Sequence, residues 1–161
     1  MIQTKVDKIL SNAIFIGHQQ AHQNNYLWPV GTKVSVIISI LSDDQQYEEY
    51  EIDNKTFNGF QWHKLMCHPN NLKHFSKYYG LTYLIIHNAL KSGKNILIHS
   101  TETHVRAGFM LAIYLMLENK WTHQETLQYI NQVRPDIELS SAYINELQIL
   151  EQNYSKYTNI Y

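Results

Sequence analysis

The sequence predicts an α/β domain, and three stretches carry that expectation. Ile96, Leu97 and Ile98 form a short apolar run, the pattern of a strand buried on both faces. Ala107–Leu117 is apolar almost throughout, with Ala, Met and Leu prominent, and reads as a buried helix. Thr32–Leu41, TKVSVIISIL, is β-branched and apolar, as suits a central strand.

The remaining elements follow in chain order. Ala13–Gly17 is a short strand ending in glycine. Ser42–Asp53 is acidic and tyrosine-rich, which predicts a surface loop with an edge strand at Tyr47–Ile52. Phe60–Cys67 reads as a further strand, followed by the turn His68-Pro69-Asn70-Asn71. Leu72–Leu90 carries Phe75, Tyr79, Tyr83, Ile86 and Leu90 at helical spacing and closes at Ser92-Gly93. Thr122 and Glu125 form a capping box for a helix through Val133, which Arg134-Pro135 ends. Ser140 or Ser141 caps a last helix over Ala142–Asn153, and Tyr154–Tyr161 is expected to fray.

Composition narrows the class. The 161 residues, 44% of them hydrophobic, suit one globular domain, 1–161, with a substantial core. No apolar run is long enough to span a bilayer, and Met-Ile-Gln-Thr-Lys-Val-Asp lacks a signal-peptide core. The single cysteine, Cys67, excludes an internal disulfide and fits a reducing compartment. An intracellular protein, cytoplasmic or with nuclear access, is therefore expected. The net charge of −1 hides an asymmetry. Asp43–Asp53 holds six acids and no base, whereas Asn54–Thr101 holds six lysines and no acid.

That basic middle leads into residues 94–109, where the chemistry concentrates. A strand, a short polar loop and a helix start make an anion site, because helix-start N–H groups and the helix dipole both favour negative charge. Arg106 adds a planar fork able to grip two oxygens of one phosphate. It is one of only two arginines, beside Arg134, against eleven lysines.

His99-Ser100-Thr101-Glu102-Thr103-His104-Val105-Arg106 resembles the signature loop of the protein tyrosine and dual-specificity phosphatases: His-Cys, two residues, Gly, two residues, Arg, then Ser or Thr. The resemblance extends over roughly residues 9–152, with 98–109 its only highly specific part. It implies a central, mostly parallel sheet flanked by helices. It makes His18–Leu27 a short helix after the opening strand, stopped by Pro29 and Gly31. It makes Ser100, Thr101, Glu102, Thr103, His104, Val105 and Arg106 the phosphate-binding loop, with His99 orienting it from the strand end. Glu102 would serve the loop's own hydrogen bonds.

Against that pattern the chain departs in four places. Ser100 stands at the nucleophile position, where the family's reaction needs a thiolate. Thr103 stands where glycine lets the loop turn its N–H groups inward, a conformation that β-branched residues resist. Ala107 lacks the hydroxyl that supports the leaving thiolate. The aspartate that protonates the leaving alkoxide is also missing, and His68 is the nearest positional match. The more usual reading of such a histidine is an ordinary turn residue.

The expected function is a pseudophosphatase: a module binding phosphorylated protein partners, or phosphate or sulfate, without hydrolysis. The alternative is an active cysteine-dependent dual-specificity protein phosphatase carrying an engineered Cys-to-Ser change at residue 100. That explains Ser100 but not Thr103, Ala107 or the missing aspartate. A third reading keeps the fold as an assembly protein and drops anion binding. No cofactor is expected. His63, Cys67 and His68 match no standard zinc spacing, so no metal is expected either. Nucleic acid and membranes are not expected partners, since the chain is not basic overall and shows no basic–aromatic stripe.

Overall fold

The computed structural model describes residues 14–18, 34–41, 61–67, 71–100 and 105–157. Its strands are β1 (Ile14–His18), β2 (Val36–Leu41), β3 (Gln61–Met66) and β4 (Ile96–Ser100). They pair in the order β1-β4-β2-β3, and every described pair is parallel. The α/β class with a central parallel sheet flanked by helices is thus observed.

Register explains the apolar runs. Ile96 aligns with Ile14 and Val36, and Ile98 with Ile16 and Ile38. Those side chains face the helices and join one core. Ile37 and Leu97, on the opposite face, are also fully buried. A sheet with both faces covered has no solvent side, so β2 and β4 lose the polar alternation of a half-exposed strand.

The helices are α1 (Leu72–Phe75), α2 (Tyr79–Lys91), α3 (Val105–Asn119), α4 (His123–Val133), α5 (Ser141–Gln152) and α6 (Tyr154–Tyr157). Helix α3 is the hub: Arg106–Leu117 is buried without a break, and a helix apolar on all sides must be enclosed. Gly108 permits its closest approach. A Cβ there would lie 2.5 Å from Ile137 Cγ2, in the segment after α4.

Several boundaries differ from the sequence reading. The single helix expected over Leu72–Leu90 is α1, a 3-10 turn at Ser76–Tyr78, and then α2. Both helical pieces bury the face that the periodicity marks, with Phe75, Tyr79, Tyr83 and Ile86 all buried, so spacing could not reveal the break. Gly93, at φ +73°, closes α2 as expected. Thr122 caps α4 with the full capping box: Glu125 N–H donates to Thr122 Oγ1, and Thr122 N–H to Glu125 Oε1, each at 3.1 Å. Glu151 Oε1 accepts from the His123 backbone N–H at 2.6 Å and lies 2.9 Å from the ring Nδ1. Those bonds hold the Glu151 carboxyl below its ordinary range and dock α5 on the start of α4. Ser140 is the N-cap of α5, but its side chain makes no capping bond.

The chain end is also more ordered than expected. Tyr154–Tyr157 forms α6, and only 158–161 of that tail lies outside the described residues. The Tyr154 hydroxyl donates to the Trp121 carbonyl, and the Tyr157 ring packs 5.9 Å from Tyr79. Aromatic contacts, not helix propensity, hold this single turn. The expected helix His18–Leu27, the edge strand Tyr47–Ile52 and the turn after Cys67 fall largely outside the described residues.

Tyr79 lies at the centre of an aromatic cluster with Phe75 and Phe109. It is 2% exposed, and its hydroxyl has no hydrogen-bond partner among the described residues. Burial pushes its ionisation far up. Tyr79→Phe keeps the ring and removes the stranded hydroxyl. It is expected to stabilise the fold by about 1 kcal/mol, raising Tm by roughly 2–4 °C in a thermal melt.

Candidate functional site

The carboxyl ends of parallel strands are where open α/β sheets gather their ligands, and the site residues lie there. Ser100 is the last residue of β4 and is 1% exposed. Its Oγ accepts the Ala107 N–H at 3.3 Å. Ala107 is the third residue of α3, so its N–H is one of the helix-start donors with no partner inside the helix. The strand end and helix start are thereby bound to each other through the Ser100 hydroxyl.

Helix α3 begins at Val105, two residues before the start expected from hydropathy, so Arg106 sits inside the first turn. Its guanidinium is 3% exposed, and Nη1 donates to the Cys67 carbonyl at 2.8 Å. Cys67 follows β3 directly and is itself buried. One arginine therefore ties the α3 start to the far edge of the described sheet. Tyr143 of α5 completes the floor: burial pushes its phenol up, as does Cys67, while Arg106 pulls it down. The Phe109 ring stacks edge-on against Tyr143 at 5.0 Å.

Of the residues singled out by sequence, Ser100, Val105 and Arg106 are brought together here, with His99 beneath them. Thr101, Glu102, Thr103, His104 and His68 lie outside the described residues. His99 is 3% exposed, and its Nε2 lies 2.5 Å from Ser39 Oγ on β2. Trp62 Nε1, on β3, donates to the same oxygen at 2.8 Å.

Sequence reasoning missed Ser39 and Trp62, because their part depends on strand order. It also assigned Arg134 only to the end of a helix. Arg134 is 4% exposed and grips Asp136 with two bonds, Nε to Oδ1 at 2.8 Å and Nη2 to Oδ2 at 2.6 Å. Its Nη1 donates to the Ile16 carbonyl of β1 at 3.3 Å. Both arginines of the chain thus donate to a backbone carbonyl, Arg134 to Ile16 on β1 and Arg106 to Cys67 just after β3. Burial at the sheet ends, where carbonyls need donors, was the signal to seek.

Comparison with known proteins decides the family. Residues 14–153 match the model described as the dual specificity phosphatase, catalytic domain. The chain belongs to the dual-specificity phosphatase family. Tyrosine-protein phosphatase yvh1 of Schizosaccharomyces pombe is similar, at 28% identity over 91 residues. That match spans 56% of this chain and 28% of the yeast protein, so this phosphatase domain covers little over a quarter of that relative.

Solved structures of dual-specificity phosphatases share the fold. The human tyrosine phosphatase-like serine/threonine/tyrosine-interacting protein superposes with a TM-score of 0.77 at 17% identity, covering 94% of this chain and 97% of that one. A mouse dual specificity phosphatase complexed with zinc tungstate gives 0.76 at 16% identity, covering 99% and 93%. Human DUSP28 gives 0.72 at 15% identity, covering 96% and 97%. Among the described residues of this phosphatase domain, no group of three or more His, Cys, Asp and Glu is placed to hold a metal. No described helix is long and apolar enough to cross a membrane.

Proposed function

We propose that this dual-specificity phosphatase domain is a pseudophosphatase, a signalling module that binds phosphorylated protein partners or phosphate-like anions without hydrolysing them. The observation that carries the reading is Ser100: a hydroxyl at the end of β4, receiving a helix-start N–H, where the family places its thiolate. Helix starts and neighbouring cations lower a thiol from about 8.5 to roughly 3.5–7.5. A hydroxyl begins far above a thiol, near the value of bulk water, so a similar shift still leaves it protonated at neutral pH. The chain's one cysteine, Cys67, is buried just after β3 and is not part of the 99–106 signature stretch.

What the site keeps is binding chemistry. Arg106 has five donors in a rigid fork, and its tether to the Cys67 carbonyl sets the fork's orientation with one Nη1–H. In sequence, Thr101–Val105 connect Ser100 to Arg106, the two described ends of the proposed cradle. A tungstate complex on a similar fold supports an oxyanion ligand, and a phosphatase-like interacting protein on the same fold supports a binding role. The proposed setting is intracellular.

The test pairs turnover with binding. Purified protein is expected to hydrolyse no aryl phosphate above background, yet to gain Tm in tungstate, phosphate or a phosphopeptide. At 100 times Kd the gain is about 2.7 kcal/mol. Arg106→Ala should remove the anion-dependent gain, whatever its own Tm in anion-free buffer. A vanadate-sensitive rate in wild type would refute inactivity. Equal anion responses in wild type and Arg106→Ala would place the site elsewhere.

A further inference from the structure

We infer that Ser39 and Trp62 are positioning residues: together they fix His99 in the tautomer with its proton on Nδ1, at the strand end carrying Ser100. His99 and Ser39 are register partners on adjacent strands, and Trp62 is on the next strand along, on the same face. Ser39 is 0% exposed, so solvent supplies neither a donor nor an acceptor there.

The proton count then favours one arrangement. An indole nitrogen only donates, so the 2.8 Å bond runs from Trp62 Nε1–H to Ser39 Oγ. Ser39 has one hydrogen of its own to place. Its oxygen lies 2.5 Å from His99 Nε2, the described acceptor within reach. The alternative has Nε2–H donating to Ser39 as well, which leaves both the serine hydrogen and the buried Nδ1 lone pair without a described hydrogen-bond partner, against the Nδ1–H alone in the first arrangement. The chain of donors therefore runs Trp62, Ser39, His99, with Nε2 accepting. Nδ1, itself shielded from solvent, carries the ring proton.

Direction matters because His99 immediately precedes Ser100. A ring whose Nε2 is locked by a donor on the neighbouring strand cannot turn over, and its second nitrogen is a fixed N–H donor at the strand end that carries Ser100. The benefit to anion binding rests on the function proposed above. The tautomer assignment does not, and the experiment separates the two.

Protein labelled with ¹⁵N in its histidine rings is examined by long-range ¹H–¹⁵N correlation at neutral pH, with the His99 signal identified by its loss in His99→Asn. Wild type is expected to show neutral His99 protonated on Nδ1. Ser39→Ala and Trp62→Phe should each shift it to a mixture or to the Nε2–H form, and Ser39→Thr, which keeps a hydroxyl, should restore Nδ1–H. Tungstate titration of the same samples should show binding about tenfold weaker in Ser39→Ala and recovered in Ser39→Thr, comparable to the loss of outer-shell partners at metal sites. An Nε2–H ring in wild type overturns the assignment, and needs no variant to fold. An unchanged His99 signal in both Ser39→Ala and Trp62→Phe overturns it too. If tungstate fails to bind wild type while the tautomer responds as stated, the donor chain stands and the anion-binding function falls.

Discussion

Ser100→Cys alone is expected to create a reactive thiol and almost no phosphatase. The new sulfur would replace an oxygen that accepts the Ala107 N–H, one residue beyond the buried Arg106. Helix start and guanidinium both favour the thiolate, so iodoacetamide should label residue 100 before Cys67, which is equally buried but follows a strand, whereas residue 100 accepts a helix-start N–H. Turnover needs more. Thr103 stands in place of glycine, and a β-branched residue resists the conformation that aims loop N–H donors at the transition state. The leaving alkoxide also lacks a matched acid, a contribution of about 10²–10⁴-fold. Activated aryl phosphates depend on that acid least and should show any residual rate first. Thr103→Gly added to Ser100→Cys should gain more than the separate effects predict, because nucleophile and cradle act as a unit. His68→Asp should then help mainly with phosphotyrosine. Efficient phosphopeptide hydrolysis by the single mutant would show Ser100 to be the sole lesion and restore the active-enzyme alternative.

Arg134→Met is expected to produce the largest loss of stability from one side chain. The substitution keeps a long apolar stem but removes two bonds to Asp136 and one to the Ile16 carbonyl. Breaking a fully buried pair costs about 3–5 kcal/mol. The Asp136 side chain keeps 29% exposure, so water offsets part of that, and about 2–3 kcal/mol is expected. Urea unfolding should show the midpoint falling with an unchanged slope. Asp136→Leu added to Arg134→Met should recover part of the loss by removing the carboxylate that Arg134 grips. A single-mutant loss under about 0.5 kcal/mol would mean the pair behaves as a surface contact.

Much of the architecture was legible because it follows from local pattern. Capping chemistry at Thr122, glycine at position 93 and the run Ile96–Ile98 each state their structure within a few residues. Interactions that need strand order were not. Ser39 is a small polar residue in an isoleucine-rich strand, and only the β2–β4 register brings it to His99. Gly108 reads as one more small residue in a helix, and only the packing shows Ile137 filling the space above it. Ser100 and Arg106 were found because seven residues carry both, whereas the Cys67 carbonyl that orients Arg106 comes from another strand.

The position of β4 has a consequence for biosynthesis. It is the last described strand to leave the ribosome, yet it lies between β1 and β2, and both need it as a neighbour. A growing chain ending before Ile96 can pair β2 with β3 but has nothing to join them to β1. At about 5–20 residues per second, the apolar β1 waits several seconds for its partner. Ser100, at the proposed anion site, therefore belongs to the strand that closes the sheet. Strand-disrupting substitutions in Ile96–Ser100 should lower the yield of folded protein in cells, and chaperone dependence should rise with them, before any effect on ligand binding can be measured.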